Sequence, residues 1–200
     1  MQVLPNFVVA VEREVYRHTG HRYIGLEPWN GRCAADHQGL FERHRHEISS
    51  LMASLDERHD ATIYSDAWSP LCVIASSFQE MDLIEQEISV ACAGWPEVQT
   101  VRNDVYLRLA HRGYDKGSAL QEICRLESIG RDEVFAVGDH FNDLPMLRPE
   151  IARFLGTVAN AQPKVVTAVR GAGGRVSPLR AGLGVLELLE LFGREGNAAT

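Results

Sequence analysis

The chain lacks any C-x-x-C pair, and its four cysteines, Cys33, Cys72, Cys92 and Cys124, stand far apart. That argues against a zinc knuckle or a disulfide framework and fits scattered thiols in a reducing cytosol. It also lacks an apolar run long enough to span a bilayer. Its start, MQVLPNFVVAVERE, has no basic region followed by a long apolar core, so it does not read as a signal peptide. A cytoplasmic protein without a membrane partner is expected. Positive charge is in short supply as well: 20 Lys and Arg stand against 27 Asp and Glu, a formal net charge of -7. That argues against a dominant nucleic-acid surface, though not against a local site for an anionic substrate. There is no internal repeat and no low-complexity tract.

What is present reads as a soluble globular chain of 200 residues, 45% hydrophobic and 24% charged. NFVVAV is a short valine-rich run of the kind that forms a buried strand. EREVYRH alternates and reads as its paired neighbour. Pro28 and Gly31 in EPWNGRC then break regularity. Leu40, Phe41, Ile48, Leu51, Met52 and Leu55 fall at helical spacings and predict a helix from about Ala35 to Leu55. PLCVIASS is strand-like, EMDLIEQEISVAC is an amphipathic helix with Met81, Ile84 and Ile88 on one stripe, and EVQTVRND and VYLRLAH are two strands joined near Asn103-Asp104.

The grammar changes after His111. KGSALQEICRLESIG predicts a helix with Ala119, Leu120, Ile123 and Leu126 inward and Gly130 as C-cap. EVFAVGD and RFLGTVANA read as strands, QPKVVTAVRGAG as a helix with Pro163 in its first turn, and LGVLELLELFG as a closing helix. Alternating strands and helices imply an α/β fold with a parallel sheet between helices. The expected organisation is a core piece at 1–27, an inserted α+β domain at 28–104, the remainder of the core at 105–193 and a frayed tail at 194–200.

The string AVGDHFNDLPML, Ala136 to Leu147, places two acids, Asp139 and Asp143, at the exit of an apolar strand. Ligands of open parallel sheets bind beyond the carboxyl ends of the strands. A hard cation such as magnesium takes carboxylates there and keeps waters and substrate phosphate as its other ligands. Asp139 suits a direct ligand and Asp143 a second or water-mediated one. Helix capping by Asp139 or Asn142 is the plain alternative. Lys116 opens a helix, where the macrodipole disfavours a cation by about a few tenths of a kcal/mol. Either it is a solvated surface lysine or it holds an anion together with the helix terminus. Its company with Asp139 favours the anion.

DKGSAL, VFAVGDHFNDLPML and GTVANAQPKV resemble the third and fourth motifs and the substrate-side loop of the haloacid-dehalogenase-like phosphatase superfamily. The resemblance covers roughly Val105 to Phe192. The earlier part, LPNFVVAVEREVY followed by LEPWN, resembles the sucrose-phosphatase-like branch more weakly. The resemblance implies a Rossmann-like core with an inserted cap. It implies magnesium-dependent hydrolysis of a small phosphomonoester, a sugar phosphate, through an aspartyl-phosphate. On that pattern Lys116 is catalytic, pairing with the nucleophile and the phosphoryl group. Asp139 and Asp143 serve the metal, and Asn142 and Asn160 line the substrate side. Asn142 has a turn cap as its alternative and Asn160 an Asx-turn before Pro163. Gly117 is expected to serve close helix packing.

The family nucleophile lies in a D-x-D motif, and none occurs here. A lysine and a metal neutralise phosphoryl charge, but neither supplies the attacking atom. The expectation is a chain truncated before that motif and inactive as it stands. The rivals are a sugar-phosphate-binding module without catalysis and a fragment without independent function. Elsewhere, His37, His44 and His46 are read as a solvated helix face. Trp29 and Trp68 are read as either sugar-stacking rings or core. RGAGGRVSP is read as a flexible turn, since it lacks the Lys-Ser/Thr of a phosphate loop.

Overall fold

The computed structural model describes residues 4–197. The chain divides into two compact units, the first ending at Tyr114 and the second beginning at Asp115.

The first unit opens with β1 (Phe7–Ala10), β2 (Glu14–His18) and β3 (Tyr23–Gly25), an antiparallel sheet in that order. The β1–β2 turn holds Val11 and Glu12 at φ +43° and +65°. A branched residue rarely adopts that conformation, and such positions cost on the order of 1–3 kcal/mol each. The turn therefore survives on support from its surroundings. Asn30 contributes by bonding both backbone groups of Val15, its Oδ1 accepting from the N–H at 2.9 Å and its Nδ2 donating to the carbonyl at 2.9 Å.

Where the apolar spacing predicts one helix over 35–55, two form: α1 (Trp29–Arg43) and α2 (Arg45–Arg58). His44 leaves helical geometry between them, and its ring stacks on Trp95 at 4.2 Å. A second antiparallel sheet has the order β4-β5-β7-β6, from β4 (Ala61–Tyr64), β5 (Cys72–Ala75), β6 (Val98–Asn103) and β7 (Tyr106–His111). Between β5 and β6 runs α3 (Phe78–Ala91), capped by Ser77, whose hydroxyl accepts from the Glu80 N–H. The predicted stripe of Met81, Ile84 and Ile88 is fully buried with Leu107, Leu109, Leu40, Ile48 and Leu55. Each such side chain contributes about 1.5–3 kcal/mol by leaving water.

Two expected boundaries shift. β6 and β7 pair along their whole length, from Val98↔His111 to Asn103↔Tyr106, so residues 105–111 belong with the first unit and the division falls at Tyr114 rather than 104. Residues 7–25 likewise belong to the first unit, because their strands pair only with one another and antiparallel.

The second unit has α4 (Lys116–Glu127), then a parallel sheet in the order β10-β9-β8, from β8 (Phe135–Val137), β9 (Phe154–Thr157) and β10 (Arg175–Val176). α5 (Pro163–Gly171) links β9 to β10, and α6 (Ala181–Asn197) closes the chain. Successive residues of a strand face opposite sides of the sheet. Leu155 packs in the cluster with Val165 and Val169 of α5, whereas a Cβ at Gly156 would lie 2.8 Å from Leu188 of α6. The sheet thus lies between helices, as the α/β reading expects.

Four local expectations are corrected. Ser128 at φ +55°, not Gly130, is the C-cap of α4, and its N–H bonds the Cys124 carbonyl. Leu126 is exposed, and Glu122 is buried in its place, bonded to Arg125. RGAGGRVSP contains β10, which pairs with β9 at Arg175↔Gly156. The predicted tail from 194 is helical through Asn197, with Arg194 favourably placed in the last turn. Residues 198–200 lie outside the described residues.

Candidate functional site

The three parallel strands aim their carboxyl ends at one edge of the sheet, and the predicted residues of the second unit gather there. Asp115 caps α4: its carboxylate accepts from the Ser118 N–H at 2.7 Å, and the Ser118 hydroxyl accepts from the Asp115 N–H at 2.8 Å. That reciprocal pair fixes the first turn and aims Lys116. Gly117 brings the helix close to the loop after β8, since a Cβ there would lie 2.3 Å from the Pro145 carbonyl oxygen. Across this contact Lys116 Nζ donates to Asp143 Oδ1 at 2.6 Å.

Asp143 is the hub. It is buried, on a 3-10 turn at Phe141–Asp143. Its other oxygen, Oδ2, accepts from the N–H groups of Asp139 at 2.9 Å and His140 at 3.0 Å. Gly138 makes room for it: a Cβ there would lie 2.3 Å from Asp143 Cβ. One buried carboxylate therefore sets both the lysine and the backbone that leaves β8. Three charge-assisted bonds meet at it, the kind worth about 1.5–3 kcal/mol each.

The loop is braced from β9. Thr157 Oγ1 donates to the Gly138 carbonyl at 2.7 Å, and the Gln162 N–H donates to the Asp139 carbonyl at 2.9 Å. With its backbone so held, Asp139 keeps an exposed carboxylate that makes no hydrogen bond with the protein among the described residues. Asn142 is buried beside Asp143. Asn160 leaves β9 at the same edge, exposed, and its Oδ1 accepts from the Ala181 N–H at 2.7 Å, where α6 begins. No hydrogen bond joins Asn160 to Lys116 or Asp143.

Among the described residues no group of three His, Cys, Asp or Glu side chains could hold a metal ion. Both Asp143 oxygens already have protein donors, which suits the water-mediated alternative rather than direct ligation. Asp139 offers one open carboxylate. That donor set fits magnesium only in its usual open mode, with one carboxylate and the rest water and phosphate.

Sequence patterns missed the bracing residues His140, Thr157 and Gln162. His140 lies within the motif string, and its Nδ1 accepts from the Phe141 N–H at 2.9 Å. Thr157 ends a strand, which was the available signal. The solvated-face reading fails for His37, which is 5% exposed. Its Nε2 accepts from the His111 N–H at 3.0 Å, so Nδ1 carries the proton and donates to the Cys33 carbonyl at 2.7 Å. Burial holds its pKa down at about 4. His46 does lie exposed on the helix. The tryptophans divide: Trp29 is half-buried and its Nε1 donates to the Arg13 carbonyl, whereas Trp68 is exposed.

The sheet edge of the second unit thus gathers a lysine, a buried acid and an open acid. The chain belongs to the haloacid dehalogenase-like hydrolase family, whose model matches residues 16–172. A phosphoglycolate phosphatase from Methanothrix thermoacetophila is 34% identical over 73 residues, 36% of this chain and 32% of that protein. The matched stretch thus spans about a third of that relative's length. Among solved structures, the sucrose-phosphatase of Synechocystis sp. PCC6803, in complex with sucrose and phosphate, superposes with a TM-score of 0.72. The identity is 18%, over 95% of this chain and 75% of that one. The subclass IIB sugar phosphatase BT4131 gives a TM-score of 0.55 at 16% identity, over 74% of this chain and 66% of that one. At these identities the structural likeness is one of fold. No described helix is long and apolar enough to cross a membrane.

Proposed function

We propose that the second unit carries the lysine and acid half of a phosphoryl site for small phosphomonoesters, with sugar phosphates as the substrate class. The observation that carries this reading is the Lys116–Asp143 pair at 2.6 Å beside the open carboxylate of Asp139. Family membership and the likeness to sugar phosphatases support it. Lys116 would leave part of its charge for phosphoryl oxygens at the start of α4, where the helix terminus adds to the attraction. Asp143 holds that ammonium in place and orients the Asp139 and His140 N–H groups. Asp139 would hold magnesium, which when bound supplies neutralisation of phosphoryl charge. Asn142 and Asn160 would face the substrate side, Asn160 through its Nδ2.

The attacking carboxylate of the aspartyl-phosphate route has no D-x-D in these 200 residues. The 200-residue chain by itself should therefore bind phosphomonoesters without turning them over. The test is a phosphatase assay of the purified chain with an aryl phosphate and a panel of sugar phosphates, with and without magnesium. Asp139→Asn serves as control, and phosphate binding is measured in parallel. Binding without turnover, weakened in Lys116→Met, is the expected result. Turnover abolished by Asp139→Asn would sink the inactivity and reveal an attacking group elsewhere in the chain. Absence of both binding and turnover in folded protein would sink the phosphoryl site itself.

A further inference from the structure

Gln162 holds the cap position at the start of α5, yet its side chain makes no bond to its own helix. Glutamine is not a favoured cap, since Ser, Thr, Asn and Asp reach the first-turn N–H groups better. Its amide is spent elsewhere, 3.3 Å from Nε2 of the His140 ring. The ring's other nitrogen, Nδ1, accepts from the Phe141 N–H at 2.9 Å, so the proton of the neutral ring stands on Nε2. A donor there calls for an acceptor, so the amide turns its Oε1 to the ring. Phe141 flanks the same ring, with centroids 4.8 Å apart and planes at 69°.

Gln162 thus grips the loop after β8 twice. Its backbone N–H donates to the Asp139 carbonyl at 2.9 Å, and its side chain takes the ring of the next residue. One hydrogen bond leaves the loop free to pivot about it, and a second on the adjacent residue removes that freedom. His140 passes the restraint on, since its own N–H donates to Asp143 Oδ2 at 3.0 Å. The residue fixed between these points is Asp139, whose carboxylate is exposed. Lys116 is set separately, by Asp143 Oδ1 at 2.6 Å. Outer partners of this kind orient metal-binding groups, and losing one typically costs about 10–100-fold in metal affinity.

We propose that His140 and the Gln162 side chain are a pair of positioning residues that aim the Asp139 carboxylate. Magnesium affinity then depends on the pair, whereas metal-free phosphate affinity, carried by Lys116, does not. This role rests on the phosphoryl-site reading and assigns its metal response to two residues outside the lysine and acid pair.

Inorganic phosphate is titrated calorimetrically into the 200-residue chain over a series of magnesium concentrations, for the parent, Gln162→Met, His140→Phe and the double variant. Magnesium should tighten phosphate binding in the parent. Gln162→Met should raise the magnesium concentration needed for that tightening by about tenfold and leave metal-free phosphate binding unchanged. The double variant should need no more magnesium than the worse single one, since both remove the same interaction. Nitrogen-15 NMR adds a signature of the ring itself: the His140 proton stands on Nε2 in the parent and moves partly to Nδ1 in Gln162→Met. If His140→Phe does not fold, Gln162→Met and the NMR signature decide alone. An unchanged magnesium requirement in Gln162→Met, additive losses in the double variant, or a His140 proton on Nδ1 in the parent each overturn the proposal. Metal-free phosphate binding that falls along with the magnesium response overturns it too, because the side chain then supports the whole edge. So does parent binding of phosphate that magnesium leaves untouched, a result that keeps the Lys116 reading intact. A folded parent that binds no phosphate, with or without magnesium, removes the phosphoryl-site reading and the positioning role with it.

Discussion

Replacing Asp143 by Asn changes one atom at the most connected carboxylate of the second unit. The carboxylate accepts three bonds, from Lys116 Nζ at 2.6 Å and from two backbone N–H groups at 2.9 and 3.0 Å. A carboxamide has one acceptor oxygen. If that oxygen serves the two N–H groups, its NH₂ meets the ammonium of Lys116; if it serves the lysine, its NH₂ meets the two N–H groups. Either orientation sets donor against donor at a buried point. Lost charge-assisted bonds cost about 1.5–3 kcal/mol each, and part is recovered because the Lys116 side chain is 29% exposed and can turn to water. A net destabilisation of about 2–4 kcal/mol follows. In a unit of this size that lowers the melting temperature by roughly 10 °C or more. Denaturant titration and thermal melting followed by circular dichroism measure it. A double-mutant cycle with Lys116→Met isolates the pair, and the double variant should cost less than the sum of the singles. Stability of Asp143→Asn within about 0.5 kcal/mol of the parent, the scale of an ordinary surface substitution, would refute the view of Asp143 as the hub.

Gly138→Ala should be destabilising by about 1–3 kcal/mol, since its methyl group would lie 2.3 Å from Asp143 Cβ; unfolding curves matching the parent would show that the loop yields freely. His37 has its folded pKa depressed to about 4 by burial, below the value near 6.5 of an exposed ring. Its neutral form is the bonded one, so its contribution is fully present above about pH 6.5 and is lost as pH falls toward 4. Stability measured across that range should decline in the parent, and His37→Gln should remove part of the slope; parallel profiles would contradict the assignment. Ser128 occupies φ +55°, so Ser128→Gly should stabilise by about 0.5–1 kcal/mol, checked by thermal melting, and a lower melting temperature would count against a strained cap.

Much of the second unit was legible from local pattern. Strand and helix signals in KGSALQEICRLE, VFAVGD and QPKVV report mostly on neighbours within a turn or two, and those elements form where expected, although the C-cap and Leu126 of the first differ. The exit of VFAV also placed Asp139 and Asp143 beyond the carboxyl end of a parallel strand, where such sheets bind ligands. The lack of a long apolar run agrees with the finding that no described helix can cross a membrane.

Tertiary structure decided the rest, wherever a residue's partner is distant in sequence. His37 sits on what reads as a polar helix face, yet a backbone N–H from His111 claims it. Residues 105–111 follow a turn that fits either unit, and the pairing of β7 with β5 and β6 assigned them. Asp143 reads as a second or water-mediated metal acid, and only the fold brings three donors onto it. Arg13 stands in an alternating hairpin segment, and only the fold buries it. A side chain's charge and size are written in the sequence, but its desolvation and its partners depend on which distant segments fold against it, and these set what the charge can do.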